Sequence, residues 1–147
     1  MKINNILFVC TGNTCRSPMA EIMLKCKLKL AGIKGVRVTS AGTNAFDGDK
    51  ISKNSATALK KLGYKVGAFK SKMLTPVMLL KNDLIVCMSA SHKALISAFP
   101  SVYSVGELMN GQDILDPYGG DLSVYMETAR QIEDLCNFLL NLIIKEE

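Results

Sequence analysis

At 147 residues, with 48% hydrophobic and 21% charged positions, the chain is long enough to bury one core and too apolar to be disordered. Its formal net charge of +5 suits an anionic substrate, but no aromatic-interleaved basic stripe accompanies it, which argues against nucleic-acid binding. The five scattered cysteines, Cys10, Cys15, Cys26, Cys87 and Cys136, hold no CxxC pair and exclude a disulfide scaffold or a zinc site.

Ile6 to Val9 is the first strand-like run. Pro18 to Ala31 follows as a helix stopped by Gly32, with Ser17 as candidate N-cap and Pro18 at the first helical position. A capping-box acid would fall at Ala20, so Glu21 comes one place late and the box is absent. Val36 to Val38 reads as a short second strand, and Ser55 to Leu62 as a helix ended by Gly63. Thr75 and Pro76 open a short helix reaching Lys81. Asp83 to Met88 suits a strand covered on both faces. His92 to Phe99 is a further helix, halted by Pro100, with His92 expected at its surface or cap. Val102 to Val105 is a fourth strand, and Leu122 to Ile144 a long closing helix with one apolar face.

Strands alternating with helices predict an α/β fold: a single three-layer domain over 1–147, its parallel four-stranded sheet flanked by helices on both faces. Ligands are expected at the C-terminal ends of the strands. The start lacks the pattern of a signal peptide, and the apolar stretch Phe138 to Ile144 is too short to span a bilayer. The expected location is therefore cytoplasmic, away from membranes.

The segment Cys10-Thr11-Gly12-Asn13-Thr14-Cys15-Arg16-Ser17 lies at such a strand end, between the first strand and the first helix. Its backbone N–H groups can line a concave nest for an oxyanion, reinforced by the helix N-terminus behind it. In that field the Cys10 thiol is expected to ionise below its free value, and Arg16 supplies a planar fork for two phosphate oxygens. Gly12 and Asn13 tolerate the left-handed backbone such a loop requires. Ser17 either caps the helix or donates its hydroxyl to the thiolate. Cys15 either packs or traps an oxidised Cys10 as a disulfide. Asp116, in Asp116-Pro117-Tyr118-Gly119-Gly120, is either part of a simple turn or the acid that protonates a leaving group and then activates water.

Cys10 through Pro18, together with Ser40-Ala41-Gly42-Thr43 and the late Asp116-Pro117, resemble the low-molecular-weight protein tyrosine phosphatase family over nearly the whole chain. The resemblance implies Cys10 as nucleophile, Arg16 as phosphate clamp and Asp116 as general acid and base, with no metal and no cofactor. It implies Asn13, Ser17 and Ser40 as hydrogen-bond supports of the loop, and Thr11, Gly12, Asn13, Thr14, Cys15 and Ser17 as its substrate-binding members. Thr14 stands where the tyrosine-specific enzymes usually carry an apolar residue, and here the chain resembles the bacterial protein-arginine phosphatases. A hydroxyl on the pocket wall accepts a planar guanidinium better than isoleucine does. Tyr118 would form an aromatic wall able to stack on either substrate. It departs from the phenylalanine associated with the arginine-specific branch, which leaves a protein tyrosine phosphatase of the same family as the alternative. The expected partners are phosphorylated proteins, bound by a monomer.

Two other functions compete for the same residues. A thioredoxin-coupled arsenate reductase needs a cysteine relay, yet after Cys87 the segment Met88 to Phe99 supplies no second thiol. A non-catalytic phosphate-binding module would have lost its nucleophile or acid, whereas Cys10, Arg16 and Asp116 are all present.

Overall fold

The computed structural model describes residues 2–146; Met1 and Glu147, the two ends of the expected domain, lie outside the described residues. Four strands, β1 (Asn5–Cys10), β2 (Arg37–Gly42), β3 (Leu84–Cys87) and β4 (Val102–Ser104), pair in parallel in the order β2-β1-β3-β4. Helices α1 (Arg16–Leu30), α2 (Lys53–Lys61) and α6 (Leu122–Glu146) pack on one face of the sheet. Helices α3 (Pro76–Lys81) and α4 (Ala90–Ile96) supply the apolar cover of the other, and the short α5 (Val105–Leu108) continues directly from β4. The α/β three-layer fold is thus the one expected.

Alternation along β1 explains how both layers form from one strand. Ile6, Phe8 and Cys10 point into the cluster with Met19, Leu24, Leu59, Ile132 and Leu139, whereas Leu7 and Val9 join Leu79, Ile85, Cys87 and Ile96 on the opposite side. β1 is central and fully covered, which is why its sequence is a continuous apolar run. The Cys10 side chain therefore emerges on the α1 side, while Cys87 faces the other way.

Several boundaries differ from expectation, each for a local reason. The first helix begins at Arg16, with Cys15 at the N-cap and no side-chain cap bond, so Ser17 is not the cap. Pro18 falls third in the helix, where its missing N–H is still one of the four with no intrahelical partner. β2 runs on to Gly42, longer than Val36 to Val38, because pairing with β1 continues from Asn5↔Arg37 to Cys10↔Gly42 despite the polar Thr39 and Ser40. α4 starts earlier than His92 because Ser89 caps it, accepting from the His92 N–H at 3.3 Å. α5 was not foreseen; Ser104 and Glu107 make a capping box there.

Gly42 is where the sheet meets the thiol loop. A Cβ at this position would stand 2.3 Å from the Thr11 carbonyl oxygen and 3.0 Å from the Asn13 nitrogen, both backbone atoms. Only glycine lets the end of β2 approach so closely. Gly42→Ala is expected to cost about 1–3 kcal/mol through overpacking, and to reduce turnover because the strain falls on the loop. Urea denaturation and steady-state kinetics on the same preparation check both effects.

Candidate active site

The loop after β1 is shaped from outside. The carbonyls of Cys10, Thr11 and Thr14 accept from the N–H groups of Thr43, Asn44 and Ser52, all at 2.9 Å. With its carbonyls turned toward the β2–α2 connection, the loop leaves its N–H groups facing inward: among the described residues, none from Thr11 to Arg16 donates to a carbonyl. Such a ring of free donors at a helix N-terminus is an anion cradle. Asn13 makes the geometry possible, holding a φ of 55° that few other residue types tolerate.

Asn13 also organises the side chains beneath the loop. Its amide donates to Ser17 Oγ at 2.8 Å and to Ser40 Oγ at 2.9 Å, while its oxygen accepts from the Lys72 N–H at 2.9 Å. Ser40 donates onward to Glu21 Oε1 at 2.7 Å, and Lys25 donates to Glu21 Oε2 at 2.7 Å. Ser17 Oγ, which accepts from Asn13, lies 2.8 Å from Cys10 Sγ, and it donates its hydroxyl hydrogen to the sulfur whenever that sulfur is a thiolate. A line of fixed donors thus leads from the helix surface to the sulfur. Glu21, buried to 8% exposure, was not recognised in the sequence as part of this site. The available signal was an acid embedded in the apolar run Met19 to Leu24.

Burial pushes the Cys10 thiol up from its ordinary value, opposed in turn by the Ser17 hydroxyl, the backbone N–H groups of Ser17 and Asn13, and the Arg16 charge. This reverses the expected lowering: desolvation outweighs the favourable donors taken together. Those donors all stabilise the thiolate selectively, so each one bears on how readily the proton leaves.

Arg16 is almost fully buried, and its guanidinium is set by two contacts from the segment before α6. Nη1 donates to the Ile114 carbonyl at 3.3 Å, and Nη2 lies 3.6 Å from Asp116 Oδ2. Asp116 itself is exposed and turns back on its own loop, its Oδ1 accepting from the Tyr118 N–H at 3.1 Å. A pocket of about 550 Å³ opens over the cradle, lined by Cys10, Thr11, Gly12, Thr14, Cys15, Arg16, Asp116 and Tyr118. Asn13, Ser17 and Ser40 lie beneath it rather than in its wall. Phe46 and Asp49, from the β2–α2 connection, complete the rim; nothing in their local pattern marked them.

Residues 5–147 match the model of the low molecular weight phosphotyrosine protein phosphatase family. The chain belongs to that family. It is a phosphoprotein phosphatase, similar to a protein-arginine-phosphatase of Bacillus subtilis, 34% identical over 97% of this chain and 98% of the relative. It is also 36% identical to the low molecular weight protein-tyrosine-phosphatase PtpB of Staphylococcus epidermidis, over 88% of this chain and 92% of the relative. A solved structure of YwlE arginine phosphatase, a Cys-to-Ser mutant with a phosphorylated active site serine, superposes with a TM-score of 0.90 at 33% identity, covering 97% of each chain. Identity is similar toward both activities, and the two protein-arginine phosphatases of Bacillus subtilis and Geobacillus stearothermophilus are matched over more of this chain than PtpB is.

One further residue of this phosphatase differs from expectation, and another takes one of its two expected roles. His92 is not at the surface: it is 4% exposed, with Nε2 2.8 Å from Thr11 Oγ1 and Nδ1 2.7 Å from Ser89 Oγ. Burial lowers its pKa, as does the Arg16 charge, against weaker opposition from Asp113 and Asp116. Cys15 packs in a polar niche, its sulfur 3.5 Å from Ser52 Oγ and 3.6 Å from the Tyr125 hydroxyl. Burial and the Cys15 sulfur push that tyrosine up to about 12.

The donor line to Cys10 makes a measurable prediction. Ser17→Ala removes a donor to the thiolate and raises the thiol pKa further, so alkylation of Cys10 by iodoacetamide at pH 7 slows several-fold. The pH at which alkylation reaches half its limiting rate moves upward. An unchanged alkylation profile would show that Ser17 does not stabilise the thiolate.

Proposed function

We propose that this phosphatase hydrolyses phosphoarginine in proteins through a phosphocysteine intermediate on Cys10, with residues 1–147 as one phosphatase domain. Arg16 and the inward N–H groups hold the phosphoryl oxygens. Cys10, as thiolate, attacks phosphorus while Asp116 gives its proton to the departing guanidino nitrogen, so the P–N bond breaks as the P–S bond forms. Asp116, now a carboxylate, takes a proton from water attacking the same phosphorus. Phosphate leaves and the thiolate is regenerated. The phosphorylated serine in the structurally similar YwlE variant supports a covalent phosphoenzyme at this position.

The observation carrying the substrate assignment is Thr14. Its side chain lines the pocket, and among the described residues its only polar side-chain contact is a 3.9 Å approach to the Cys15 sulfur. The hydroxyl is thus free to meet a polar, planar guanidinium, which an apolar side chain would leave without a partner. Asp116 at the same mouth can pair with guanidinium N–H groups, and Tyr118, 84% exposed, offers a ring face for stacking. The similarity to protein-arginine phosphatases over almost the whole chain favours the same reading.

The test compares kcat/KM on matched phosphoarginine and phosphotyrosine peptides. Wild type is expected to prefer phosphoarginine, and Thr14→Ile to shift the ratio toward phosphotyrosine by about tenfold or more, the discrimination available to one buried polar contact. A wild-type preference for phosphotyrosine, or a ratio that Thr14→Ile leaves unmoved, refutes the assignment. Cys10→Ser should abolish turnover.

Regulation by oxidation belongs to the same reading. Peroxide converts the Cys10 thiolate to a sulfenic acid; attack by the Cys15 thiol then forms a disulfide and releases water. The five free cysteines support work in a reducing cytoplasm; there the proposed enzyme acts as a monomer on phosphorylated proteins. Mass spectrometry after peroxide treatment should find the Cys10–Cys15 link; a sulfinic Cys10 beside a free Cys15 rejects the switch.

A further inference from the structure

The first turn of α4 touches both halves of the site. Ser89 caps the helix and hydrogen-bonds His92 Nδ1 at 2.7 Å, and His92 Nε2 reaches Thr11 Oγ1 at 2.8 Å. The Ala90 N–H donates to Asp113 Oδ1 at 2.9 Å, and the Ile114 N–H to the Met88 carbonyl at 2.9 Å, which anchors the segment leading to Asp116. Ile114 in turn offers its carbonyl to Arg16. One helix start thus ties the phosphate loop, the arginine and the acid loop together.

Within this assembly His92 is unusual, a buried imidazole with both ring nitrogens committed to side-chain hydroxyls. Thr11 directly follows Cys10, and its carbonyl is fixed by the Asn44 N–H at 2.9 Å. A second hold on its hydroxyl leaves the residue little freedom to rotate, so its N–H stays turned into the cradle. Preorganised donors of this kind need no rearrangement when charge develops on the phosphoryl oxygens.

We propose that His92 is a positioning residue for the phosphate-binding loop, acting through the Thr11 hydroxyl rather than by contact with substrate. The role rests on the loop gripping phosphate as described above. It predicts that the ring nitrogen facing Thr11 matters for catalysis and that the one facing Ser89 matters for helix capping. Glutamine places its amide near the position of Nε2, and asparagine near that of Nδ1, so the two substitutions separate the two links.

The experiment uses the full chain with para-nitrophenyl phosphate, whose hydrolysis does not depend on the phosphoarginine assignment, and inorganic phosphate as competitive inhibitor. His92→Leu should lower kcat/KM and weaken phosphate inhibition together, by about tenfold for one lost hydrogen bond. His92→Gln should recover most of both, and His92→Asn should not. Combining His92→Leu with Thr11→Val should cost no more than the larger single change, because both break the same link. Cys10 alkylation, which reports the Ser17 donor line, should be unaffected by His92→Gln or His92→Asn. Equal behaviour of these two variants in kcat/KM and phosphate inhibition overturns the proposal, even if His92→Leu fails to fold. Additive losses in the double variant overturn it as well. Turnover by Cys10→Ser would instead reject the underlying site chemistry, so the two failures are distinguishable.

Discussion

Three hydrogen bonds from the β2–α2 connection to the carbonyls of Cys10, Thr11 and Thr14 determine which way the thiol loop faces. A short loop has one set of peptide groups, and turning their oxygens out necessarily turns their hydrogens in. The rest of the site follows from that orientation. Gly42 is needed because the strand supplying the connection must come within contact of the loop backbone. Asn13 is needed because the loop closes only through a left-handed residue. The anion cradle is therefore not a property of Cys10 to Arg16 alone; it is produced by a segment some thirty residues away in sequence, as the bonded pairs show.

The sulfur sits in a balance between two opposing effects. Packing Cys10 at the inner end of a fully covered strand removes water and disfavours the thiolate, while Ser17, two backbone N–H groups and Arg16 favour it. Burial has the larger effect, and the donors work against it. They stand ready in the arrangement a negative sulfur or a transferring phosphoryl group requires. The network through Asn13, Ser40, Glu21 and Lys25 holds them in place, with the Ser40 hydroxyl donating to Glu21 and the Asn13 amide donating to both serines.

Much of this was legible in the sequence because it is local. Cys10, Arg16 and the glycine and asparagine between them lie within one loop, and the apolar run before them identifies a covered strand. Ser40 was reachable only through resemblance to known enzymes, whereas Asp116 stood out locally as one of two readings of its turn, which the resemblance decided. What escaped notice depends on packing between distant segments. Glu21 looked like a failed capping acid because its partner Ser40 is on another element. His92 looked like a cap or surface residue because the hydroxyl it meets is 81 positions away. The Ser17 cap was a sound local inference overridden by tertiary contact: beside a buried thiol, its hydroxyl binds sulfur and the helix starts without a side-chain cap. The same competition reversed the sign expected for the Cys10 thiol, since desolvation depends on what packs around the strand.

Thr14 is tied to the protein in an asymmetric way. Its carbonyl is fixed by the Ser52 N–H, whereas its side chain has almost no internal commitments. Replacing that side chain leaves every hydrogen bond that shapes the loop in place. With Thr14 setting selectivity as proposed, substrate choice is separable from the shape of the loop by mutation. On that reading such a scaffold permits a lineage to exchange one phosphorylated side chain for another by substitution at a single position, with the loop's backbone bonds kept.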